Sequence, residues 1–288
     1  MVGAPMIFDW LKGRADRENE PPARQNEPRI VELREITFPW QPDGEITANL
    51  AIGSLRESLL TWLKSERGVH AETLMVVIGA IAGFAGQNAV WQTVGKLGRP
   101  VPQLERDKPP PADGSFLFVL SGSGERFYVG ELLNGYLVPE AGAGAGNKYP
   151  LWNFVAAAAV EAGVPLSNLP DYREMFQHVA KTIGTGAFGV PRTEPNHRPH
   201  LHPRQALELF WPSVKFILSR TDGPGPAKGN SVAPEYWPLV VALVARQFLT
   251  MTKDTLDPRL SLALIMESAI AMSKVDPKTI PQTLPVKP

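Results

Sequence analysis

Apolar residues recur at the spacing of an α-helix through most of this chain, and Gly and Pro mark the breaks between those stretches. From Asn49 to Arg67, Leu50, Ile52, Leu55, Leu59, Leu60, Trp62 and Leu63 share helical spacing, and Gly68 closes the run. A second helix is expected from His70 to Trp91, so the pattern predicts two antiparallel helices joined by a short turn. Further helices are expected over Pro150–Ala162, Asp171–Ile183, Arg204–Arg220, Glu235–Lys253 and Pro258–Lys274, the last with Asp254 or Asp257 as cap and Pro258 in its first turn. The segments Ser115–Leu120 and Glu125–Val129 flank Ser121-Gly122-Ser123-Gly124 and predict a β-hairpin. Residues 30–38 fit strand or helix equally, and Pro39 ends them.

Thr73 to Gly95 is a run of 23 uncharged residues, long enough to cross a bilayer. Gln87, Asn88, Gln92 and Thr93 crowd its second half, and flanking Lys/Arg asymmetry is missing, so a buried core helix is expected instead of a transmembrane span. Gly79 and Gly83 are four apart, with Ala82 and Gly86 beside them, which lets another helix approach this backbone closely.

The expected fold is therefore mainly α: a compact multi-helix domain with one small β-hairpin. Residues 1–28 read as a short amphipathic segment followed by a polar, Pro-rich disordered linker, and residues 29–275 as a single helical domain. Within that domain a Pro-rich crossover covers 99–114 and the hairpin 115–129; residues 276–288 form a Pro-rich tail. In the first segment Met6, Ile7, Trp10 and Leu11 share a helical face, which suits docking on a protein surface or interfacial membrane contact through residues 6–11.

Composition narrows the function classes. The 29 Lys+Arg balance 29 Asp+Glu, which argues against general nucleic-acid binding. Arg192, His197, Arg198, His200, His202 and Arg204 do cluster ahead of Phe210 and Trp211, but that basic patch is local. Cysteine is absent, which removes thiolate nucleophiles, thiolate zinc sites and disulfides. A reducing, cytoplasmic setting is expected, and the first residues lack the apolar core of an export signal.

Motif chemistry is sparse. Gly184-Thr185-Gly186-Ala187-Phe188-Gly189 fits G-x-G-x-x-G, but a helix precedes it and Pro191 follows, so a helix C-cap and loop are expected rather than a phosphate cradle. Gly142–Lys148 lacks the Ser or Thr that follows a Walker lysine and is expected to be a connector. Ser123 fits a turn, His70-Ala71-Glu72 a helix cap, and Glu131, Glu161, Asp171, Glu174 and Glu267 solvated helix faces. The one cluster with ligand chemistry is His197, His200 and His202, spaced H-x-x-H-x-H in a Pro-stiffened loop. Imidazoles in that pattern suit a divalent transition metal such as zinc, with Glu194 or Glu208 supplying a carboxylate.

Two functions follow as expectations. The first is a non-enzymatic protein-binding or scaffold module with no cofactor, engaging a protein partner or self-associating through 235–253 and 258–274. The alternative is a metal-binding protein or metal-assisted hydrolase built on His197, His200 and His202.

Overall fold

The computed structural model describes residues 42–98, 100–105, 115–139, 149–219 and 231–284, with side chains from residue 45 onward. The chain order is α1 (Pro42–Trp62), β1 (Lys64–Ser65), β2 (Gly68–Val69), α2 (Ala71–Lys96), β3 (Leu117–Leu120), β4 (Arg126–Val129), α3 (Glu131–Asn134), α4 (Leu151–Glu161), α5 (Tyr172–Thr182), α6 (Pro203–Ser219), α7 (Trp237–Thr252) and α8 (Pro258–Met272). The protein is mainly α, with two small two-stranded sheets among the described residues.

α2 is apolar on every side, and a helix of that kind needs partners all round. It finds them in α8, α7 and α6, which pack about it and place residues from Leu74 to Val90 in the interior. One helix here is long and apolar enough to cross a membrane; 94 % of its apolar window is buried inside the fold. α7 and α8 also spend their apolar faces within the chain, so those faces are already covered.

α2 and α8 approach each other backbone to backbone. Gly79 sits against the backbone of Ile265 and Gly83 against that of Ala269, so the pair of small residues serves as the pattern anticipated. A Cβ at Gly83 would lie 2.7 Å from the Ala269 carbonyl carbon, and one at Gly79 2.9 Å from the Ile265 Cα. Around this crossing Trp211 meets Phe84 edge-on at 4.8 Å and Trp237 at 6.0 Å, filling the space between α2, α6 and α7.

Several expectations change. α1 runs earlier than its leucine pattern suggests, and Lys64–Val69 forms a two-residue-per-strand hairpin instead of a last helical turn. Gly68 holds φ at +95°, a conformation costly to any residue with a Cβ, and that turn breaks the helix. α1 then packs mainly on α7 and α6 and not as the antiparallel mate of α2, whose surface is already occupied. The hairpin at 115–129 forms with Leu117 opposite Val129 and Leu120 opposite Arg126, and Phe127 bridges to Val275. The tail expected from residue 276 onward begins as packed structure: Ile280 is buried, and Gln282 accepts hydrogen bonds from Trp211 Nε1 and Lys215 Nζ. The amphipathic segment at 6–11, the linker, residues 30–38 and Gly142–Lys148 lie outside the described residues.

Candidate functional site

Two of the three loop histidines, His197 and His200, meet Glu72 and His70 at the N-terminus of α2. The β1–β2 hairpin delivers His70 to the N-cap position, where its ring Nδ1 accepts from the Thr73 backbone N–H at 3.4 Å. The loop carrying the other histidines is stiffened by Pro191, Pro195, Pro199 and Pro203. It is tied down where Arg192 donates to Glu267 through its backbone N–H (2.7 Å) and its Nε (2.6 Å). Glu267 is therefore a buried anchor on α8 and not the solvated side chain expected, because the turn after α5 brings a guanidinium directly over it.

Across this junction the groups form one hydrogen-bonded chain. The His200 backbone N–H donates to Thr73 Oγ1 at 2.9 Å, and that hydroxyl donates to His70 Nδ1 at 2.9 Å. With its Nδ1 accepting, His70 carries the proton on Nε2, which faces Glu72 Oε2 at 3.3 Å. His197 Nδ1 donates to the other carboxylate oxygen, Oε1, at 2.8 Å. The imidazoles of His70 and His200 stack with centroids 3.9 Å apart. Glu72 is nearly covered, whereas the His197 and His70 side chains each keep about a third of their surface in solvent, at 36 % and 34 %.

This geometry sorts the three loop histidines. His197 and His200 converge with His70 and Glu72, but His202 turns away. Its Nε2 donates to the Phe188 carbonyl at 3.0 Å, and its Nδ1 accepts from the Arg204 backbone N–H at 3.1 Å, so both ring nitrogens are engaged. Among the described residues, no three His, Asp or Glu side chains are arranged to hold a metal ion. The carboxylate beside the histidines is Glu72, 125 positions from His197 in the chain, while Glu208 pairs with Arg204 at 3.5 Å. The basic patch is likewise divided, since Arg204 binds Glu125 at 2.5 Å, Arg192 binds Glu267 and Trp211 is fully buried. His70 and Glu72 looked like capping residues only; His70 does cap, and the further role of Glu72 depends on a contact no local spacing encodes.

A carboxylate holding the Nδ1–H of an imidazole leaves Nε2 of His197 directed away from the carboxylate as an acceptor. That linkage orients an imidazole toward a proton donor or toward a ligand. Burial by itself would raise the Glu72 pKa, but the His197 hydrogen bond, its own backbone N–H and the two neighbouring imidazoles outweigh it and hold the carboxyl low. Burial lowers His70, with Glu72 opposing and His200 reinforcing; burial also lowers His202, against the pull of the Phe188 carbonyl.

The signs run together. His70 and His202 lie below the ordinary 6.5, so the unfolded chain takes up their protons first and stability is lost as pH falls through about 6.5. Glu72 lies below 4.5, so its contribution is present above that value and lost as pH falls through its native pKa. The urea midpoint is expected to drop continuously between neutral pH and about pH 4. A midpoint that holds steady or rises over that interval contradicts the assignment.

No protein-family model, curated protein or solved structure matches the chain.

Proposed function

We propose that this chain is a cytoplasmic, non-enzymatic protein-binding module, and that its partner docks along the edge where α1 meets α6. The observation that carries the reading is an aromatic pair left at the surface. Trp62, at the end of α1, stacks on Phe210 of α6 with centroids 5.7 Å apart and planes 2° from parallel, and the residue is 37 % exposed. Leu209, next along α6, is 60 % exposed. A pre-stacked Trp with an aliphatic neighbour is the kind of rigid apolar anchor on which binding energy concentrates.

A photo-crosslinking residue at Leu209, with a second at exposed Arg259 as control, tests this in cells producing the chain. The expected result is one protein joined through position 209 and not through 259, and lost in a folded Trp62→Ala variant. Equal capture at both positions, or none at 209, overturns the reading.

One observation favours a second reading, metal binding or metal-assisted hydrolysis: His197 meets Glu72 and His200 stacks on His70 at the same end of α2, and Glu72 orients His197. Metal analysis of tag-free protein beside a His197→Ala/His200→Ala/His202→Ala variant decides it. Stoichiometric zinc lost in the variant supports that reading, and no metal in either protein removes it.

A further inference from the structure

α5 is an outer helix resting on α8. Its inward face is Tyr172, Met175, Val179 and Ala180, with Phe176 at the margin. The segment leaving α8 completes the floor beneath it, and there Lys274 places its ammonium-bearing atom 5.6 Å from the centre of the Phe176 ring. Lys274 is buried, and Nζ donates to Asn134 Oδ1 at 3.0 Å and to the Ser273 hydroxyl at 3.4 Å. These partners satisfy a neutral amine, but they give an ammonium no counter-charge.

The charged groups on the surrounding elements do not supply one. Glu131 on α3, Arg173, Glu174, His178 and Lys181 on α5, Arg126 on β4 and Asp276 just beyond Lys274 form no ion pair with it. His178 binds the Val190 carbonyl at 3.2 Å, while Arg126 and Asp276 act on Tyr128. Burial pushes the Lys274 amine well below its ordinary pKa, and no neighbouring charge opposes it.

We propose that Lys274 makes α5 a release element, a helix that detaches from α8 as a local unit because detachment moves a buried, uncompensated amine into water. Release turns Met175, Phe176 and Val179 outward while α2, α7 and the body of α8 stay packed. The proton linkage fixes its pH profile. With α5 docked the amine titrates at about 7, and in the released state at the ordinary 10.5. The released population therefore grows about tenfold for each pH unit lost between about 10 and 7, and levels off below. Neutral pH sits near the loose end of that range, so the helix is held less tightly there than in alkali.

Amide exchange of the full-length chain, corrected for the intrinsic pH effect, tests this. In the wild type, protection of α5 is expected to rise about tenfold between pH 7.5 and 8.5 and to stay well below that of α2 and α4 at both pH values. In Lys274→Met, α5 is expected to be at least about a hundredfold better protected at pH 6.5 and indifferent to pH. Protection of α5 that ignores pH in the wild type, or that equals the protection of α2 and α4, overturns the proposal. A second measurement needs no variant: the Lys274 ε-carbon resonance should titrate near 7, and titration near 10 in the folded protein also overturns it.

Discussion

Gly83→Val should leave little or no folded protein, and Gly83→Ala should be severely destabilised. At this position α2 and α8 touch backbone to backbone, and a Cβ would stand 2.7 and 2.8 Å from the Ala269 carbonyl carbon and Cα. The obstacle is main chain inside a helix, which cannot rotate aside as a side chain would. Relief requires the two central helices to separate, and every residue wedged between them then loses contact. Overpacking typically costs about 1–3 kcal/mol when side chains can adjust, and here they are not the atoms in the way, so the cost should exceed that range. For a fold of this size, a penalty of that order removes much of the total stability. Gly53 supplies the control. It lies within α1, and nothing approaches the position a Cβ would take, so Gly53→Ala should be neutral or stabilise by up to about 1 kcal/mol through helix propensity alone. Soluble yield and thermal midpoint measure both variants. A Gly83→Ala protein that melts with the wild type would show that α2 and α8 do not meet this closely.

The same crossing shows how far this fold is legible in the chain. Gly79 and Gly83 announce a close helix contact because the signal is local: two small residues one turn apart in an apolar run. The helices announce themselves similarly, and Asp257 does cap α8, while Asp171, expected on a solvated face, turns out to cap α5. Which helix fills the notch is not local, and neither is the mate of α1, because those choices depend on what else competes for the surface of α2. The Lys64–Val69 hairpin is hidden because a two-residue strand has no periodicity to detect. At the candidate site, H-x-x-H-x-H marks the loop but misassigns its members. His202 turns to the Phe188 carbonyl, and the place beside His197 and His200 goes to Glu72 and His70, which lie far away in the sequence. Glu267 reads as a surface carboxylate because its partner, Arg192, lies 75 positions away in sequence.

Lys274→Met should make the protein more stable at neutral and acid pH, against the general expectation that a core substitution destabilises. The lysine is buried without a counter-charge, and its pKa falls from 10.5 to about 7. At roughly 1.4 kcal/mol per pH unit, that displacement is a penalty on the order of 4–5 kcal/mol whenever the unfolded chain holds the proton more tightly than the native state does. The sign follows directly: between about 7 and 10.5 the unfolded chain binds the extra proton, so wild-type stability rises with pH across that window and is lowest below it. Methionine nearly matches the lysine stem in length and can lie against the Phe176 ring without carrying a charge. It also strands the Asn134 side-chain oxygen, which costs about 1–3 kcal/mol and takes back part of the gain. The net expectation is a gain of about 2–3 kcal/mol at pH 6, shrinking as pH rises and reversing by about pH 10, where only the lost hydrogen bonds remain. Urea unfolding of both proteins at several pH values measures the difference. A variant less stable than the wild type at every pH would mean that Lys274 keeps its proton when buried, and that the polar contacts from Asn134 and Ser273 are enough to hold an ammonium there.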